Sequence, residues 1–137
     1  MADKLVFIGT IETPYARIED CPRNIDSAGP LCRLRIEERF VPGLLGLEAG
    51  QSILILYWLG GGDRSVLRMN SRKSGDYAGV FALRTPNRPN PIGAAVLPIE
   101  SIDESGVTVR GLDCISGTPL LDIKPAIQAE RSIPQER

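Results

Sequence analysis

The chain has 137 residues, a formal net charge of −1, and 42% hydrophobic against 24% charged residues. This is the make-up of one folded domain, and it excludes a disordered chain and a broadly basic nucleic-acid binder. There is no histidine, so a Ser-His-Asp or Cys-His pair, an HExxH zinc helix and an imidazole base are all excluded. Cys21, Cys32 and Cys114 are odd in number and lack CxxC spacing, which points to reduced thiols in a cytoplasmic protein with neither a disulfide framework nor a metal site.

Met1-Ala2-Asp3-Lys4 lacks the charged-then-apolar layout of a signal segment. Leu5-Val6-Phe7-Ile8 is apolar throughout and reads as a short strand. A long connection over residues 12–30, carrying Pro14, Pro22 and Pro30, precedes a strand in which Cys32, Leu34 and Ile36 alternate with Arg33, Arg35 and Glu37. Pro42 to Ala49 reads as one or two helical turns opened by a proline. Ile53 to Leu59 reads as a strand buried on both faces and is far too short to cross a membrane. Residues 60–77 form a second long connection beginning Gly60-Gly61-Gly62. Further strands are expected at Gly79 to Leu83, at Ile92 to Ile99 with Pro98 favouring an edge or bulge, at Val107 to Arg110 and at Leu120 to Ile123. About seven short strands with long loops and one short helix make an all-β sandwich or closed barrel, a single domain over 1–137 with a mobile polar tail from about residue 129.

Two segments carry chemistry. In the run from Gly79 to Gly93 (GVFALRTPNRPNPIG), three prolines bias Thr85, Arg88 and Asn90 to extended backbone, so Arg84 and Arg88 are fixed-charge forks on a stiff frame beside Asn87 and Asn90. The alternative is a rigid surface loop without a ligand. In Asp113 to Pro125 (DCISGTPLLDIKP), Asp122 and Lys124 point to one face of a strand, either as an ordinary ion pair or as one wall of a pocket. Arg64, Arg68, Arg72, Lys73, Arg84 and Arg88 stand against Asp76 alone across residues 64–88 (six positive minus one negative, +5). This cluster is either a patch for an anion or a set of solvated loop cations. The Gly60-Gly62 run permits close backbone approach or mere flexibility, and it is not the GxGxxG of a Rossmann site.

The first run resembles the signature G-V-F-A-T-R-S-P-x-R-P-N-P-I-G, and the second resembles D-x-x-D-G-T-P-x-x-D-I-K-P. Both belong to the TrmO/TsaA-like family of S-adenosylmethionine-dependent tRNA methyltransferases. Ile8 to Ile11, Thr13-Pro14 and Gly43 to Glu48 also fall in order, so the resemblance spans about residues 5–125. It implies a single-sheeted closed β-barrel that works as a homodimer, with the cofactor near the subunit interface and no metal. It also implies a cofactor pocket of Pro22, Arg23, Asn24, Gly60, Gly61, Arg84, Ala94, Leu121, Asp122, Ile123 and Lys124. Asp122, Asn90 and Arg88 are the candidate catalytic residues. The implied reaction is methylation of N6 of threonylcarbamoyladenosine beside a tRNA anticodon. The alternatives are a small-molecule acceptor or a non-catalytic cofactor-binding module. The chain departs from the family pattern at Gly60-Gly61, where a His followed by Gln or Glu is common, and at Asn24, Leu83, Ser116 and Ala126.

Overall fold

The structure, a computed structural model, describes residues 3–131. Its strands are β1 (Gly9–Glu12), β2 (Leu31–Ile36), β3 (Ser52–Trp58), β4 (Arg68–Asn70), β5 (Tyr77–Gly79), β6 (Ile92–Asp103), β7 (Gly106–Arg110) and β8 (Thr118–Pro125). Six of them close a barrel in the order β1-β2-β7-β6-β3-β8, every pair antiparallel, while β4 and β5 form a separate hairpin. The all-β closed barrel expected from the sequence is thus present, with six wall strands rather than about seven.

The barrel interior follows the two-residue period of the strands. Ile11, Cys32, Leu34, Ile36, Ile53, Ile55, Tyr57, Ala95, Leu97, Ile99, Val107, Val109 and Leu120 point inward and are buried. Across β3 and β6, Ile53 faces Leu97, Ile55 faces Ala95 and Tyr57 faces Gly93. A Cβ at position 93 would overlap the Tyr57 ring, so this glycine is what lets an aromatic side chain fill that end of the barrel. Each fully buried aliphatic side chain stabilises the fold by roughly 1.5–3 kcal/mol.

Several sequence expectations shift. Leu5 to Ile8 does not form a strand: Leu5, Val6 and Phe7 are exposed, and the chain joins the barrel only where Ile8 donates to the Leu120 carbonyl and accepts from Glu37 N–H. Ile53 to Leu59 buries one face only. Leu54, Leu56 and Trp58 stay half-exposed because a single-sheeted barrel has no outer layer to cover them. The strand expected at Gly79 to Leu83 ends at Gly79 and continues as a 3-10 turn, Val80–Ala82. The short helix forms as a 3-10 run over Glu38–Leu44 that contains Pro42. Pro98 lies in β6 opposite Ser52, next to the register shift between Ile99 and Ser101. Of the tail expected from residue 129, positions 132–137 lie outside the described residues.

Because neighbouring strands alternate in direction, β1, β3 and β7 all end on one rim. The connections over residues 13–30, 59–91 and 111–117 therefore rise from the same end of the barrel. Both segments singled out in the sequence begin or end there.

Candidate functional site

The 83–91 loop is stiffened from within. Arg88 Nη1 donates to the carbonyls of Leu83 (2.7 Å) and Thr85 (3.2 Å). Arg64 Nε donates to the Pro89 carbonyl at 2.7 Å, its Nη2 donates to Asn90 Oδ1 at 3.2 Å, and its guanidinium lies 5.2 Å from the Trp58 ring centre. Asn87 Oδ1 accepts from Asp63 N–H at 2.9 Å. Arg88, Asn87 and Asn90 are thus tied into the frame of the loop. The Gly60-Gly62 run is close approach rather than slack: Gly61 has φ +96°, and a Cβ on Gly62 would sit 2.7 Å from the Pro86 carbonyl oxygen.

Arg84 leaves this loop and caps the barrel wall. Leu59 N–H donates to Pro91, and this ladder parity turns the Ala94 carbonyl away from β3, where β6 has no ladder partner before Ile99. Arg84 Nη2 donates to that carbonyl at 2.8 Å. On the outer face, Ala94 is opposite Leu56, and Leu56 is opposite Asp122, so three strands bring these side chains into one row. The register shift between Leu56 and Tyr57 leaves Leu121 as the extra residue of β8 and turns Ile123 against the core. Lys124 Nζ sits 3.3 Å from Asp122 Oδ2, with both side chains about half exposed, and Asp122 Oδ1 accepts from Ile123 N–H. Gly60 and Gly61 follow β3 after Leu59. Pro22, Arg23 and Asn24 are exposed on the β1–β2 connection at the same rim, and no hydrogen bond among the described residues joins them to the row on β6, β3 and β8.

A second pair at the rim has no counterpart among the expected residues. Tyr57 is 3% exposed, and its hydroxyl donates to Asp113 Oδ1 at 3.1 Å. Burial raises the Asp113 carboxyl above its ordinary value, while the Tyr57 hydrogen bond and the Arg84 charge pull it back. Burial also raises the Tyr57 phenol, which stays protonated. Tyr57 at an inward position of a largely apolar strand is the sequence signal for such a pair, because a buried hydroxyl needs a partner. The partner, 56 residues away, carries no local signal.

The cysteines are all free and none is activated. Burial raises Cys21 and Cys32 and pushes Cys114 up to about 12. Among the described residues no group of three or more His, Cys, Asp or Glu could hold a metal ion, and no helix is long and apolar enough to cross a membrane. Two shallow clefts of about 510 and 410 Å³ open on the barrel, one against Val41, Leu44 and Ile102 and the other against Phe7, Arg35 and Pro119. None of the residues expected to hold the cofactor lines either cleft.

The rim and the row carry groups whose chemistry suits S-adenosylmethionine. Arg84 and Arg23 are guanidinium donors for a carboxylate, and Asp122 offers a carboxylate to a cation. Half-exposed Leu56, Trp58 and Leu121 offer an apolar surface to a base. The missing Cβ of Gly60 would lie 3.5 Å from the Trp58 indole, so glycine keeps that ring uncovered.

The chain is similar to known proteins over most of its length. A family model described as the tRNA-methyltransferase O N-terminal domain matches residues 10–130. The chain is 45% identical over 121 residues to a probable S-adenosyl-L-methionine-binding protein, VirR, of Rhizobium radiobacter, covering 88% of this chain and 69% of that one. It is 33% identical over 117 residues to an S-adenosyl-L-methionine-binding protein of Archaeoglobus fulgidus, covering 85% and 84%. To the human tRNA (adenine(37)-N6)-methyltransferase it is 34% identical over 137 residues, covering 93% of this chain but 31% of the human protein. A crystal structure of TrmO from Pseudomonas aeruginosa superposes with TM-score 0.76 at 27% identity, covering all of this chain and 61% of that one.

Proposed function

The chain belongs to the family of the tRNA-methyltransferase O N-terminal domain, and from that premise we propose that it is an S-adenosylmethionine-dependent methyltransferase whose acceptor is N6 of threonylcarbamoyladenosine beside a tRNA anticodon. The observation that carries this reading is the placement of Arg84. It is fixed on the Ala94 carbonyl at the rim, beside the row Ala94–Leu56–Asp122, and its charge acts on Asp113 of the Tyr57–Asp113 pair. S-adenosylmethionine supplies an activated methyl group on a sulfonium, so no metal and no nucleophilic side chain is required.

The chain's own groups bind and orient. Arg84, with Arg23, holds a carboxylate, either that of the cofactor or the threonyl carboxylate of the acceptor. Asp122 faces positive charge, with Lys124 holding it in place. The loop locked by Arg64 and Arg88 keeps Arg84 in one position, which is the form in which binding groups accelerate a transfer. Asp113, raised by burial and reached by the Tyr57 hydroxyl, is the carboxylate best suited to take up the proton that the attacking nitrogen gives up. The protein works in the cytoplasm as a homodimer that covers the half-exposed row on β3, β6 and β8.

A small-molecule acceptor is the second reading. It is favoured by the net charge of −1 and by the Rhizobium and Archaeoglobus relatives, which are described as S-adenosyl-L-methionine-binding proteins. The chain spans 69% and 84% of those relatives, but only 31% of the human tRNA methyltransferase and 61% of the Pseudomonas TrmO chain. Titration calorimetry tests the shared core of both readings. Wild type binds S-adenosylmethionine and Arg84→Ala does not; equal affinity of the two proteins refutes the assignment.

A further inference from the structure

The cations on the barrel wall are paired: Arg33 with Asp103, Arg35 with Glu12, Arg110 with Glu100 and Lys124 with Asp122. Those of the 64–88 cluster divide. Arg64, Arg84 and Arg88 use their donors on loop and strand carbonyls. Arg68, Arg72 and Lys73, all on the hairpin of β4 and β5, make no side-chain hydrogen bond or ion pair among the described residues. The same hairpin carries Tyr77, 67% exposed, and just beyond it lies Phe81, 82% exposed; the core aromatic Tyr57 is 3% exposed. Exposing two aromatic rings on and next to a hairpin with three cations that are unpaired among the described residues gains the folded state nothing.

The register arranges these groups. Arg68 is opposite Gly79 and Asn70 is opposite Tyr77, so Arg68, Asn70 and Tyr77 share one exposed face, while half-buried Met69 and Ala78 share the other. Gly79 has no side chain to stand between Arg68 and the Tyr77 ring. The hairpin is held in one shape: Val80 N–H donates to Leu67, Asn70 Nδ2 donates to the Gly75 carbonyl at 3.0 Å, and Gly75 turns at φ +76°.

We infer that this hairpin, with the turn after it, is an RNA-binding arm, in which Tyr77 and Phe81 stack unpaired bases and Arg68, Arg72 and Lys73 contact the flanking phosphates. A flat aromatic ring stacks on any base, and unpaired cations complement a polyanion. The inference rests on the tRNA reading above and adds to it the surface that holds the acceptor strand beside the rim, since the hairpin lies within the same connection as Arg84.

Fluorescence anisotropy with a labelled anticodon stem-loop RNA, run as a salt series, tests this. Tyr77→Ala and Phe81→Ala should each weaken binding by roughly tenfold, with Tyr77→Phe retaining it. Arg68→Gln/Arg72→Gln/Lys73→Gln should lower the slope of log K against log salt by about 2, at roughly 0.7 per single-strand phosphate contact. S-adenosylmethionine affinity and sedimentation should stay as in wild type. Unchanged RNA affinity and slope in variants of a wild type that methylates tRNA overturns the arm and leaves the functional reading standing. A variant that changes oligomeric state overturns it in favour of a second copy covering this face. A wild type that neither binds nor methylates tRNA overturns both.

Discussion

Replacing Tyr57 by Phe isolates the rim pair. The ring keeps its place over Gly93, so no cavity opens, and only the hydroxyl 3.1 Å from Asp113 Oδ1 is lost. A hydrogen bond to a charged group contributes about 1.5–3 kcal/mol, so neutral-pH stability should fall by that amount. The sign of the pH dependence follows from Asp113. Its folded carboxyl is raised by burial above the unfolded value of about 3.9, so the native state binds the extra proton and stability falls as pH rises through that window. The Tyr57 hydroxyl limits this cost by favouring the ionised carboxylate, and removing it raises Asp113 further. The loss in Tyr57→Phe is therefore larger at about pH 7 than at about pH 4, because Asp113 takes up its proton as the pH falls. Urea unfolding of wild type, Tyr57→Phe, Asp113→Ala and the double variant at both pH values measures the coupling. A loss that is the same at both pH values, or strictly additive single substitutions, refutes the pairing.

Gly62→Ala places a Cβ against the Pro86 carbonyl oxygen, so it should cost roughly 1–3 kcal/mol in thermal unfolding and weaken S-adenosylmethionine binding in calorimetry by displacing the Arg84 loop. Thiol titration of the native protein should report Cys21 alone, and that slowly, because Cys32 and Cys114 are buried and Cys114 is pushed up to about 12; all three should react in denaturant.

The barrel interior was readable because alternation along Cys32, Leu34 and Ile36 is set by the pleat itself. Continuous apolar runs were less informative. Leu5-Val6-Phe7 and Ile53 to Leu59 look alike as strings, yet the first is exposed and the second is half core, because only register decides which face meets the interior. The hairpin of β4 and β5 is not legible in the sequence because its strands are three residues each, too short to show an alternation. At the rim, the stiffness of the Arg84 loop was foreseen from its prolines. The ties from Arg64, Arg88 and Asn87 could not be, because they depend on contacts between residues brought together by the turn. Tyr57 and Asp113 meet only when the barrel closes.

Methyl transfer itself is the most direct test. Purified protein incubated with methyl-tritiated S-adenosylmethionine and tRNA bearing threonylcarbamoyladenosine should place label in that nucleoside, and unmodified tRNA should stay unlabelled. A protein that binds the cofactor in calorimetry yet labels neither tRNA contradicts the proposed acceptor.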